Sequence, residues 1–154
     1  MLSRYIKSDF IRLYSKMSFK NIIKSFLNPS FRACVLVRCA QTSPDYLFWI
    51  FRGLLISFSN IDFGRGCKIE EGLLIPHPIG IVFGGGCKIG KNFTIYQNVT
   101  LGSKKGFYPT IQDDVIIYCN SVVVGKVLIE NEVVVGALSF VDKDISAKEV
   151  FKSE

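Results

Sequence analysis

The chain has 154 residues, 49% hydrophobic and 13% aromatic, and carries a formal net charge of +6. Such a composition excludes a disordered polymer, and the length holds one domain or a repeat body with an appendage. Five cysteines with no CxxC pair exclude a disulfide framework and read as buried free thiols in a reducing cytoplasm. The charge is uneven: residues 1–60 hold nine Lys/Arg against Asp9 and Asp45, giving +7, whereas 61–154 hold ten against eleven acids, giving −1. The basic residues are dispersed and no nucleic-acid motif accompanies them, so nucleic acid is not the expected partner. Peripheral membrane contact through residues 1–60 is preferred to nucleic acid, and stands beside the reading of a plain solvated helical face.

In chain order, Arg4, Lys7 and Asp9 interrupt any apolar core of a signal peptide near the start. Ser8 is a candidate cap for a first helix whose apolar face is Phe10, Leu13, Tyr14 and Met17. Ser18 caps a second, with Phe19, Ile22, Ile23, Phe26 and Leu27 at i, i+3, i+4, i+7 and i+8. Asn28-Pro29-Ser30 breaks it, and a third helix is predicted from Phe31 to about Ala40. The most apolar run is Tyr46–Phe58, thirteen residues that include Arg52 and Gly53. It is too short for a membrane span, which needs about 20 residues. The expected role is to cover an open end of the following repeat domain; an interfacial helix is the alternative.

From Phe63 to Val141 every sixth residue is apolar except Lys105, thirteen positions of fourteen. Neither a lone strand nor a helix has that period. It is the mark of hexapeptide repeats coiled into a β-helix, three short strands per eighteen-residue coil, with between four and five coils here. A second column, four residues after the first, is mostly small or aliphatic: Leu73, Ile79, Gly85, Val115, Ser121, Val127, Val133, Ser139 and Ile145. Residues 103–110, SKKGFYPT, read as a loop extruded from the coils. The predicted organisation is a helical region at 1–60, a β-helix at 61–146 and a tail at 147–154. The fold class is mainly β.

His77, in LIPHPIG, is the only histidine of the chain, so a multi-histidine metal site is not expected. Asp62 lies fifteen residues earlier, nearly one coil away, which lets the two approach on adjacent coils. An imidazole base oriented by a carboxylate is a common device for activating a hydroxyl.

The stretch from Ile61 to Asp144 resembles the hexapeptide-repeat, left-handed β-helix acetyltransferases, and among them serine O-acetyltransferase and its relatives of surface-polysaccharide synthesis. The pieces that carry the resemblance are IDFGRGCKIEEGLLIPHPIGIVFG, NFTIYQNVTLG and IYCNSVVVGKVLIENEVVVGALSFV. The resemblance implies a homotrimer, with acetyl-CoA as co-substrate in a groove between neighbouring β-helices. It implies His77 as general base and Asp62 as its orienting partner. It also implies an oxyanion donor near Gly102, and a pantetheine arm running along Cys119 and Ala137; small residues that corners need anyway are an equal reading of these three.

Departures from the family shape the acceptor. Serine acetyltransferases have Asp immediately before the histidine, where this chain has Pro76, and an Arg-His pair in the loop, where it has Phe107 and Tyr108. A zwitterion buried without charged partners binds badly. Pro76, Phe107 and Tyr108 therefore lead to the expectation of a sugar acceptor, in surface or capsular polysaccharide synthesis. Serine is the alternative, and a non-catalytic β-helix assembly subunit is the second alternative. Residues 1–60 resemble the short leaders of capsule acetyltransferases, which implies a cytoplasmic enzyme working near the inner face of the membrane. The family continues into a Gly-Asn-Pro-Ala-like segment where this sequence reads VFKSE, so a looser hold on the cofactor is expected.

Overall fold

In a computed structural model, which describes residues 1–153, four helices precede a left-handed parallel β-helix of about four coils. The helices are α1 (Leu2–Tyr14), α2 (Phe19–Leu27), α3 (Pro29–Thr42) and α4 (Asp45–Ser59). Ser18 caps α2 by accepting from the Asn21 N–H at 3.2 Å, as its position predicts. α3 starts two residues earlier than expected, with Pro29 in its first turn and the Asn28 side chain accepting from the Ser30 N–H. α1 differs more. Ser8 lies inside it, and Met17 lies beyond its end at Ser15, whose φ is 62°.

The first sheet runs β1 (Asp62–Phe63), β3 (Val82–Phe83), β6 (Thr100–Gly102), β9 (Val122–Val124) and β12 (Phe140–Val141). The second holds β2 (Lys68–Ile69), β4 (Lys88–Ile89), β7 (Thr110–Ile111) and β10 (Leu128–Ile129). The third holds β5 (Thr94–Ile95), β8 (Ile116–Ile117), β11 (Val134–Val135) and β13 (Val150–Phe151). Residues 150–151, placed in the tail by the sequence reading, are thus the last strand of the third sheet.

The register corrects the single six-residue column. Asp62 pairs with Val82 and Lys68 with Lys88, a step of twenty, whereas Val82 pairs with Thr100, a step of eighteen. Lys88 then pairs with Thr110, a step of twenty-two. Two extra residues lie around Pro76–Gly80 and four in the loop after Gly102. Together they make six, so the loop restored a phase that the first insertion had already shifted. On the first sheet the core has two stacked columns: one runs through Phe63, Phe83, Leu101, Val123 and Val141, the other through Ile61, Ile81, Val99, Ser121 and Ser139. Ile79 and Gly85, of the second sequence column, are not buried; Ile79 is 57% exposed.

Corners turn on left-handed residues. Asn92, Asp114, Glu132 and Lys148 stack at one corner, and Asn98, Asn120 and Leu138 at the next, all with φ between 55° and 64°. Asn and Asp tolerate this conformation better than other side chains. At the second corner Asn98 Nδ2 donates to Asn120 Oδ1 at 3.1 Å.

The open end of the first coil is closed by α3 together with Phe48 and Leu55 of α4, and α1 adds Asp9. Ala33, Cys34, Val37 and Ala40 of α3 join the core of the coils. Buried Arg38 directs all five N–H bonds to acceptors: Asp9 through Nε (2.8 Å) and Nη2 (3.0 Å), the carbonyls of Ile69 and Glu70 (2.6 Å each), and Gln41 Oε1 (3.4 Å). Asp9 Oδ1 in turn accepts from the N–H groups of Gly72 (3.1 Å) and Leu73 (2.8 Å). The ion pair is fully buried. The apolar run on α4 buries Phe48 and Leu55 but leaves Tyr46, Trp49, Ile50 and Phe58 exposed.

Removing one partner strands a buried charge. Asp9→Asn or Arg38→Met is expected to cost about 3–5 kcal/mol, read as a lowered midpoint in urea unfolding. The double replacement Asp9→Leu/Arg38→Met should recover little of it, because the Ile69 and Glu70 carbonyls and the Gly72 and Leu73 N–H groups stay unpaired.

Candidate active site

The coils place the candidate residues at two different corners. Leu74 is bridged to Thr94 in the third sheet, and the chain from there to β3 forms the corner between third and first sheets. Pro76 and His77 stand on it. Successive coils align Leu74, Thr94, Ile116 and Val134, so three residues further on Gln97, Cys119 and Ala137 fall in one line along this corner; on the first coil Ile79 holds that place, its carbonyl accepting from the Asn98 N–H, and His77 stands in the two-residue insertion just before it. Asp62, at the start of β1, adjoins it. Gly102, Phe107 and Tyr108 belong instead to the corner between first and second sheets.

His77 is exposed, and its carbonyl accepts from the Ile79 N–H at 2.9 Å. Its ring lies 6.2 Å from that of Tyr96, which stacks on Tyr118 at 4.8 Å with 20° between planes. On its other side is a cleft of about 690 Å³ whose walls include Phe26, Phe31, Arg32, Phe58, Pro76 and His77.

The Asp62 carboxylate is held by α4. Arg52 Nε reaches Oδ1 at 2.8 Å and Nη2 reaches Oδ2 at 3.1 Å. This hydrogen bonding pushes the Arg52 guanidinium further up from its already high range. Among the described residues no hydrogen bond joins Asp62 to His77. Each carboxylate oxygen has a second lone pair, so the Arg52 clamp does not by itself prevent Asp62 from accepting from an imidazole N–H. Arg52 was not singled out from the sequence, although its being the only charge within Tyr46–Phe58 was a usable signal.

The structure does not gather Pro76, Phe107 and Tyr108 into one pocket. Lys104 and Phe107 exchange both backbone hydrogen bonds, at 3.0 and 3.2 Å, across a tight turn with positive φ at Lys105 and Gly106. Phe107 points outward, 57% exposed. The Tyr108 ring lies flat over the backbone of Gly84 and Gly86, where any Cβ would collide with it. Its aromatic face is used by its own β-helix, and it packs against the core. Gly102 ends β6, and a Cβ there would meet Val124 Cγ1 at 3.3 Å.

Along the His77 corner, Cys119 is half-buried and Ala137 exposed. The Gln97 Oε1 atom between them and His77 is buried with no hydrogen-bond partner, which suits a ligand N–H. Among the described residues no three His, Cys, Asp or Glu side chains cluster as metal ligands.

The comparisons bear on this geometry. Serine acetyltransferase of Staphylococcus epidermidis is 44% identical over 88 residues, covering 54% of this chain and 41% of that protein. The Bacillus licheniformis serine acetyltransferase is 38% identical over 92 residues, covering 57% and 43%. Among solved structures, serine acetyltransferase isoform 3 of Entamoeba histolytica, in complex with cysteine, superposes with a TM-score of 0.84 at 29% identity over 99% of this chain and 59% of that one. This chain is similar to the serine acetyltransferases. A soybean serine acetyltransferase complexed with serine, 24% identical with a TM-score of 0.82 over 96% of this chain, shares the fold. The chain spans about two-fifths of the length of the curated relatives it matches. No protein-family model matches it. Every relative named here is a serine acetyltransferase.

The thiols separate by burial. Burial, with the Asp9 carboxylate adding to it, pushes the Cys34 thiol up to about 12 from an ordinary 9.0. Cys67 is pushed up through its hydrogen bond with Cys87 and by burial, and burial also raises Cys39. At pH 8 a thiol reagent should modify Cys119 first and Cys39 slowly, and Cys34, Cys67 and Cys87 only after unfolding. Because Cys34 keeps its proton only in the folded state, the stability it contributes is complete below pH 9 and is lost as pH rises from 9 towards 12. Urea midpoints measured from pH 8 to 10.5 should therefore fall, less steeply in Cys34→Ala.

Proposed function

We propose that the chain is an acetyl-CoA-dependent O-acetyltransferase whose base is His77 and whose acceptor is the hydroxyl of a small polar molecule, L-serine before others. The observation that carries it is exposed His77 in the insertion at the corner along which Gln97, Cys119 and Ala137 line up, in a β-helix that is similar to serine acetyltransferases in sequence and fold. Acetyl-CoA supplies the activated thioester. Gln97 Oε1, without a partner in the chain, would accept an amide N–H of the pantetheine arm, and the small side chains of Cys119 and Ala137 leave the corner open to it.

His77, exposed at the corner, would take the acceptor's hydroxyl proton on one ring nitrogen. Asp62 would accept from the other and so hold the tautomer, with Arg52 fixing the carboxylate from behind. A backbone N–H near Gly102 would serve the developing oxyanion from a neighbouring copy, since Gly102 lies at the other corner of its own chain. The same separation applies to Phe107 and Pro76. Residues at two corners of one prism face each other only across an interface, so this reading includes a homotrimer with sites between its subunits.

A sugar hydroxyl is the second reading. It is supported by Pro76 and Phe107 standing where charged partners of a zwitterion would be needed. Working in the cytoplasm is part of both readings.

The test is thiol release from acetyl-CoA with L-serine set against nucleotide sugars and oligosaccharides. Turnover on serine supports the first acceptor, and turnover on a glycan alone selects the second. His77→Ala should lower kcat by about 10²–10⁴ on whichever acceptor works. Release that survives in that variant, or none from any acceptor by intact oligomers, would reject the assignment.

A further inference from the structure

α2 is built inside out. Its apolar positions, Phe19, Ile22, Ile23, Phe26 and Leu27, share one helix face, yet they are 80%, 37%, 50%, 72% and 79% exposed. The one buried residue of the helix is Ser25, whose hydroxyl donates to the Ile22 carbonyl at 2.7 Å. A helix normally turns such a face to the core; here the polar edge packs inward and the apolar face meets water. Contiguous exposed apolar surface of this kind marks an interaction site. It continues past α2, because Phe26 and the exposed Phe58 of α4 line the same cleft.

Charge decides what covers it. Lys20 and Lys24 lie on α2 and Lys16 just before it, with no acid between residues 10 and 44. Both acids of residues 1–60 are already engaged, Asp9 with buried Arg38 and Asp45 with Arg65. A second copy docking through its own helical region would bring like charges together and offer no free carboxylate. An anionic lipid surface supplies both the apolar layer and the negative charge that the face lacks. Among the described residues no helix is long and apolar enough to cross a membrane, so the contact is with the bilayer surface.

We propose that α2 docks the protein on anionic membranes, with Phe19, Ile22, Ile23, Phe26 and Leu27 entering the interface and Lys16, Lys20 and Lys24 against the headgroups. This goes beyond the catalytic assignment and holds whether or not that assignment does.

Flotation of the full chain with vesicles tests it, using phosphatidylcholine alone and phosphatidylcholine containing phosphatidylglycerol, in buffer at physiological salt. The protein should float with the anionic vesicles and stay down with the neutral ones. Phe19→Glu/Ile23→Glu should abolish flotation; both positions are exposed, so the circular dichroism spectrum should not change. Lys20→Ser/Lys24→Ser should weaken partitioning by on the order of tenfold. Absence of flotation with either vesicle overturns the proposal. So does a smaller oligomer for Phe19→Glu/Ile23→Glu in lipid-free light scattering, since a second copy would then be what covers the face.

Discussion

The fold depends on how the first coil of the β-helix is closed. Coils inside the stack find backbone partners above and below, but the first has none on one side, and unpaired buried N–H and C=O groups are expensive. Arg38 and Asp9 meet that constraint together. The guanidinium donates to the Ile69 and Glu70 carbonyls, and the carboxylate accepts from the Gly72 and Leu73 N–H groups. A buried ion pair by itself is a poor source of stability, because desolvation of each charge costs several kcal/mol. Here the charges also satisfy four backbone groups that an apolar cap would leave stranded. That explains why a charged pair, and not a further layer of Leu and Ile, sits between the helices and the coils.

The same logic separates what was legible in the sequence from what was not. Hexapeptide periodicity is a local property that each strand repeats, so the β-helix and its approximate bounds were readable from Phe63 to Val141. Register was not, because two insertions of two and four residues cancel to one full repeat. Both inward columns of a coil are apolar, so a shift of two residues exchanges Phe83 for Ile81 without breaking the pattern. Helix pattern had the opposite weakness. The apolar face of α2 was correctly traced, but periodicity says that a face exists and is silent on whether it is buried. Asp9 and Arg38 were invisible as a pair, since they are twenty-nine residues apart and only the packing of α1 on α3 joins them.

The site shows a similar division. His77 and Asp62 stood out by residue type and spacing; in the fold His77 stands on the corner that leads into β3, the strand that pairs with Asp62's own β1. What spacing could not reveal is the competitor: Asp62 is engaged at both oxygens by Arg52. A carboxylate held at both oxygens by a guanidinium is better fixed than a free one. Arg52 thus ties the apolar helix α4 to the start of β1.

Tyr108 illustrates the limit of reading an acceptor pocket from a loop. Beside Phe107 in sequence, it looks like a second aromatic wall; in space it is the lid over Gly84 and Gly86. Those glycines and the tyrosine form one packing unit, since no larger residue fits beneath the ring. Phe107, pushed outward by the tight turn at Lys105–Gly106, is the only aromatic of that loop left free to meet another molecule. With His77 at one corner and Phe107 at another, no acceptor can touch both on a single chain. Under the proposed function, Pro76 and Phe107 would act on one acceptor only where copies of the chain pack against each other.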